Sequence, residues 1–138
     1  MSVAGFVLAA ILCALGAIHF HWGLGGELGK RLALPLRHGR PVLQPTPTVT
    51  FAVAAGFFAL ALLVVLRSGW GGAYCRGAWL RGTIGLAGAA FVLRALGDFR
   101  YVGFLKTVRA GRFARLDTFA YSPLSLLLGI LCIKCAAS

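Results

Sequence analysis

Acidic residues are almost absent from this chain: Glu27, Asp98 and Asp117 stand alone in 138 residues, against 14 Lys plus Arg. Charge of either sign is also missing from long stretches. Residues 60–66 and 84–93 carry none on any helical face, which excludes the polar stripe that a soluble amphipathic bundle turns to water. No Lys or Arg precedes Lys30, so the apolar opening lacks the basic region of a signal peptide and is expected to stay as a first membrane helix. The net charge is +11, yet no recognition helix, zinc finger or aromatic RNA-binding signature accompanies it. Nucleic acid is therefore not an expected partner. There is no internal repeat and no low-complexity linker to divide the chain.

What remains is apolar length. Hydrophobic residues make up 59% of the chain, and they gather in four stretches at about 3–20, 48–66, 78–97 and 118–135. Each is close to the ~20 residues that cross a bilayer as a helix. A chain this short cannot bury four all-apolar helices within itself. The expected fold is all-α, a four-helix transmembrane bundle forming a single integral membrane domain over residues 1–138. Pro41, Pro45 and Pro47 break the chain before the second span, with Thr48 expected as its N-cap. Gly82, Gly85 and Gly88 give the third span a small-residue surface suited to close helix packing.

The basic residues set the expected orientation. Lys30, Arg31, Arg37 and Arg40 follow the first span, and Arg100, Lys106, Arg109, Arg112 and Arg115 follow the third. The opposite side holds Arg67, Arg76, Lys134 and, at a span boundary, Arg81. The heavier side is expected to be cytoplasmic, which puts both termini outside, in a bacterial cytoplasmic membrane in the periplasm. Membrane lipids are the expected partners.

Some charges sit too deep for a purely topological role. Between Arg81 and Arg94 lie 12 uncharged residues, about 18 Å of helix against ~30 Å of hydrocarbon. Arg94 and Asp98 are four apart, so an Arg94–Asp98 pair at the membrane boundary is one expectation. Helix four is expected to begin near Asp117 and to kink at Pro123, freeing the Phe119 carbonyl and bringing Tyr121 and Ser122 toward the bundle. His19, His21 and Trp22 end helix one on the same side. His19, Arg94, Asp98, Arg100, Asp117 and Tyr121 thus fall at one end of the bundle, where ionisable groups near lipid mark either an interfacial anchor or a site.

The stretches His19-Phe20-His21-Trp22-Gly23-Leu24-Gly25-Gly26, Gly39-Arg40-Pro41, Arg94-Ala95-Leu96-Gly97-Asp98-Phe99-Arg100-Tyr101-Val102-Gly103, Phe113-Ala114-Arg115-Leu116-Asp117 and Tyr121-Ser122-Pro123-Leu124 resemble the family called domain of unknown function 3995. The resemblance covers essentially the whole chain. It implies a small, mostly bacterial four-span membrane protein and carries no activity with it. Cys75, Cys132 and Cys135 lie outside those stretches.

Two functions fit the residues best. The first is binding of a lipid-like or amphiphilic molecule near the cytoplasmic face, with Trp22, Arg94, Arg100, Tyr101 and Ser122 as ligand-binding residues. The alternative is a membrane-embedded isomerase, cyclase or hydrolase acting on a hydrophobic substrate. His19, Asp98, Asp117 and Tyr121 are then its acid–base candidates. No cofactor is expected. A metal site built on His19, His21 and His38 with Asp98 and Asp117 is disfavoured, since no His pair has i,i+4 spacing. Thiol redox chemistry at Cys132 and Cys135 lacks a second cysteine couple, with Cys13 deep in helix one. A channel is disfavoured because no charge lines the middle of any span. Oligomeric state is left open.

Overall fold

A computed structural model describes residues 2–37, 40–42, 44–70 and 77–138. His38, Gly39, Cys75 and Arg76, named above, lie outside the described residues. Among the described residues four helices are long and apolar enough to cross a membrane: Val3–Gly23, Pro47–Ser68, Ala78–Leu96 and Arg112–Ala137. The chain is a multi-pass membrane protein of all-α architecture. Only 22–28% of each span is buried inside the bundle. The remaining faces are apolar and open, with Leu62, Leu86 and Leu93 all exposed, as contact with lipid tails requires.

Helix α1 (Val3–Gly23) is capped by Ser2, whose hydroxyl accepts from the Gly5 N–H at 3.1 Å. A short helix α2 (Lys30–Ala33) follows, then a two-residue ladder of β1 (Leu36–Arg37) and antiparallel β2 (Arg40–Pro41). The cap of helix α3 (Pro47–Val65) lies two residues before the expected one: Thr46, not Thr48, accepts from the Val49 N–H at 3.3 Å. Proline is favoured in a first turn because its φ is already helical and its missing N–H would have had no helical partner. A π-helical turn, Leu66–Trp70, continues α3. Helix α4 spans Ala78–Leu96.

The fourth span also begins earlier than its apolar run. Helix α5 (Arg112–Leu116) leads into a π-helical turn, Asp117–Tyr121, and then α6 (Ser122–Ala137). The Ser122 N–H donates to the Asp117 carbonyl five residues back. Proline at position 123 has no N–H for the Phe119 carbonyl, and the wider turn just before it absorbs that break without ending the helix.

The spans pack as two pairs, α1 along α3 and α4 along α6, with shorter α1–α6 and α3–α4 contacts joining the pairs. Leu8, Leu12, Val64, Leu80, Ile84 and Leu128 fill the middle of the seam. The α4–α6 approach is set by Gly88 and Gly129. A Cβ on Gly129 would lie 2.9 Å from the Gly88 carbonyl oxygen and 2.7 Å from Val92. Backbone cannot move aside, so Gly129→Ala is expected to cost about 1–3 kcal/mol by overpacking. Gly56 has nothing within 4 Å of its would-be Cβ, so Gly56→Ala is expected to gain about 0.5–1 kcal/mol through helix propensity. Thermal unfolding of the two variants in one detergent checks both signs.

Candidate functional site

Asp117 is fully buried at the end of the bundle that carries the long loops. Its Oδ1 accepts from Arg94 Nη2 at 2.9 Å. Its Oδ2 accepts from the Gly103 N–H at 2.7 Å, Lys106 Nζ at 2.9 Å and the Ser122 hydroxyl at 3.2 Å. Lys106 is only 2% exposed, and its ammonium also donates to the Gly103 carbonyl and the Thr118 hydroxyl. A carboxylate taken out of water is tolerated only when paired and hydrogen-bonded. Here one carboxylate fastens α4, the 97–111 loop and the start of α6 together.

Arg94 therefore pairs with Asp117 and not with Asp98, four residues along. Helix α4 ends at Leu96 and Gly97 turns the chain with φ +98°, so the i,i+4 geometry that would join Arg94 to Asp98 is lost. Asp98 instead folds its own loop. Its Oδ1 accepts from the N–H groups of Arg100, Tyr101 and Val102 at 2.9, 2.7 and 2.9 Å. Burial pushes this carboxyl up, but the N–H groups of Val102, Arg100 and Tyr101 outweigh it and hold the pKa below the usual 3.8. Gly97 and Gly103 meet back to back; a Cβ on either would run into the other's strand of the loop, at the Val102 or Leu96 carbonyl. Arg100 lies over the Tyr101 ring at 5.3 Å.

In front of Arg94, between the two helix pairs, lies a cavity of about 470 Å³. Leu15, Val53, Phe57, Phe91, Leu124 and Leu128 supply its apolar wall, and His19, Trp22, Lys30, Arg94 and Tyr121 its polar groups. The His19 ring lies 4.9 Å from Trp22 and 5.2 Å from Phe57, centre to centre. His19 Nδ1 is 2.8 Å from the Leu15 carbonyl. A carbonyl only accepts, so Nδ1 carries a proton, and in the tautomer this selects for a neutral imidazole Nε2 is the acceptor. Trp22 Nε1 donates to the Leu28 carbonyl at 2.6 Å, and the Tyr121 hydroxyl to the Leu32 carbonyl at 3.3 Å. Both ties draw the first loop over the cavity. Arg94 Nη1 is buried with no hydrogen-bond partner.

Of the residues singled out in the sequence, His19, Trp22, Arg94 and Tyr121 meet at this cavity. Asp117 and Ser122 lie behind Arg94 in the buried ionic cluster. Asp98, Arg100 and Tyr101 are in the loop and do not line the cavity. Neither carboxylate hydrogen-bonds His19, whose ring is oriented by backbone. Lys106, one of the loop cations expected to set orientation, is buried against Asp117; Lys30, another of them, lines the cavity, as do Phe57 and Phe91, which carry no signal in the sequence. Among the described residues no three His, Cys, Asp or Glu side chains come together as a metal site. Cys132 is buried in the core and Cys135 half-buried, both as free thiols.

Two outcomes are expected. Asp117→Ala leaves Lys106 buried without its counter-charge and should cost about 3–5 kcal/mol, whereas Lys106→Met, removing the buried cation, should cost less because Arg94 still neutralises Asp117; chemical denaturation of both variants checks the order. For Asp98 the lowered pKa means stability present above 3.8 and lost as pH falls through the folded-state value. The gap in melting temperature between wild type and Asp98→Ala should be constant near neutrality and close only in that acidic window. A gap that closes between pH 7 and 5 would point to a different titrating group.

In comparison with known proteins, the chain matches the family described as "Protein of unknown function (DUF3995)" over residues 12–132. No curated protein and no solved structure matches the chain. The loop clamp around Asp98 and Asp117, the histidine–tryptophan end of α1 and the start of α6 all lie within the matched residues, and the chain belongs to the DUF3995 family.

Proposed function

We propose that this protein binds an amphiphile with an anionic head in the cavity between its two helix pairs. The supporting observation is the state of Arg94. One of its terminal nitrogens is held by Asp117, while Nη1 is buried and unpartnered on a residue that lines the cavity. An unsatisfied guanidinium donor at the edge of hydrocarbon is costly and is relieved by an anionic oxygen. Lys30 stands on the same rim, and the wall beyond is apolar and aromatic. About 470 Å³ falls within the range of small-molecule sites and suits a head group with the first part of a chain, the rest lying in the bilayer. In this reading the protein sits in a bacterial cytoplasmic membrane with the site at the cytoplasmic face and both termini in the periplasm, following the excess of basic residues on the long loops. Membrane lipids or a hydrophobic small molecule are its partners.

A second reading is favoured by His19 and Tyr121, which line the same cavity with the His19 Nε2 left free for proton transfer. A bound amphiphile would then be isomerised, cyclised or hydrolysed, with His19 as base and Tyr121 as acid.

Native mass spectrometry of the mildly extracted protein separates these. Wild type is expected to carry one discrete adduct. Arg94→Gln and Lys30→Gln should each weaken it about tenfold, the worth of one charge-assisted hydrogen bond, and Val53→Trp should exclude it by filling the wall. Asp98→Asn, which keeps the loop-capping oxygen, should retain it. An adduct indifferent to Arg94 and Val53 removes the cavity from consideration. If the released molecule differs chemically between wild type and His19→Ala, the enzyme reading takes precedence.

A further inference from the structure

The opposite end of the bundle holds a second cavity, of about 430 Å³, where the start of α1 meets the ends of α3 and α6. Arg67, Ser68, Lys134 and Ser2 line it, together with the first-turn residues Ala4 and Gly5. Arg67 Nε is buried with no hydrogen-bond partner. The Ser2 hydroxyl accepts from the Gly5 N–H, so its own proton is free to be donated. The positive end of the α1 dipole and its unbonded N–H groups open at the same place.

What this end lacks is as informative as what it holds. All three acidic side chains of the chain, Glu27, Asp98 and Asp117, fall in or beside the long loops at the other end. No acidic side chain lies at this end, and among the described residues neither Arg67 nor Lys134 forms an ion pair, although Ser138 and the Cys135 thiol also line the cavity. Arg81, the other described cation at this end, is turned away, with its Nε donating to the Ala136 carbonyl at 3.2 Å. Two cations, one of them a guanidinium with an unpartnered donor, and a helix N-terminus around one hollow form an environment that an oxyanion stabilises.

We propose that this second cavity is a phosphate-group site, separate from the amphiphile cavity and independent of that reading. Arg67 supplies its guanidinium, Lys134 a point charge, and Ser2 with the α1 N-terminus the remaining hydrogen bonds. The same chemistry is presented by free phosphate and by a phospholipid head at the far leaflet.

The test uses the full-length chain in phosphate-free detergent with two probes, inorganic phosphate and the short-chain lipid dihexanoyl phosphatidate. Binding is read by melting temperature and by native mass spectrometry. Wild type is expected to bind, with affinity falling about tenfold in Arg67→Gln, in line with loss of a charge-assisted hydrogen bond, and falling also in Lys134→Gln. Arg81→Gln removes the same charge from the same end without touching the cavity and should bind as wild type. Binding of both probes identifies a free-oxyanion site; binding of the lipid alone identifies a head-group site. Should Arg67→Gln fail to fold, the comparison of Lys134→Gln with Arg81→Gln decides alone. The proposal is overturned if folded wild type binds neither probe, or if Arg81→Gln weakens binding as much as Lys134→Gln.

Discussion

One buried carboxylate governs the loop end of this bundle. Asp117 has no access to water and accepts from a guanidinium, an ammonium, a hydroxyl and a backbone N–H contributed by α4, the 97–111 loop and α6. Each of those donors would be costly alone at the edge of the hydrocarbon; together they make the fold of the loop and the course of helix four a single event. Asp98 does the same on a smaller scale, folding three amide groups about one oxygen. The loop that results buries Lys106 against Asp117 and fixes Arg94 by one side of its guanidinium. The other side is left for whatever occupies the cavity.

The seam between the helix pairs gives that arrangement its setting. It is tightly filled in the middle by Leu8, Leu12, Val64, Ile84 and Leu128, and it opens into a cavity at each end. The two cavities differ in character. The one near Arg94 is walled by aliphatic and aromatic side chains, while the one near Arg67 is lined by hydroxyls and cations. Each nevertheless contains a buried arginine nitrogen without a partner, the same physical signal at both faces of the membrane. With three acids against 14 basic residues, the chain cannot supply counter-charges for all its cations, and the shortfall is met by solvent, lipid or ligand.

The four spans were legible because apolar length is a direct consequence of bilayer thickness, and stretches near 20 residues without charge have few other readings. Their edges were not. Thr48 was the expected cap of α3, but Pro47 is itself accommodated in the first turn, moving the cap to Thr46. Helix four was expected near Asp117, yet Arg112–Leu116 already helices because Phe113 and Ala114 bury against the bundle. The gathering of His19, Trp22, Arg94 and Tyr121 at one end was visible in the sequence, since each falls at a span terminus on the same side. The Arg94–Asp98 spacing misled: i,i+4 proximity holds only while the helix continues, and α4 stops at Leu96. Lys106 carried no local signal, because its role depends on a carboxylate eleven residues away that only the folded loop brings to it.

Arg94 has one terminal nitrogen held by Asp117 and the other, Nη1, buried without a partner on a residue that lines the cavity. Solid-state NMR on protein labelled at the arginine side chains, in membranes that keep the co-extracted lipids, measures this directly. One terminal nitrogen of Arg94 is expected to show a short coupling to the Asp117 carboxyl carbon, and the other to a phosphorus or carboxyl carbon that belongs to no residue of the chain. Couplings from both nitrogens to Asp117, or from Nη1 to water alone in membranes retaining those lipids, would contradict this expectation.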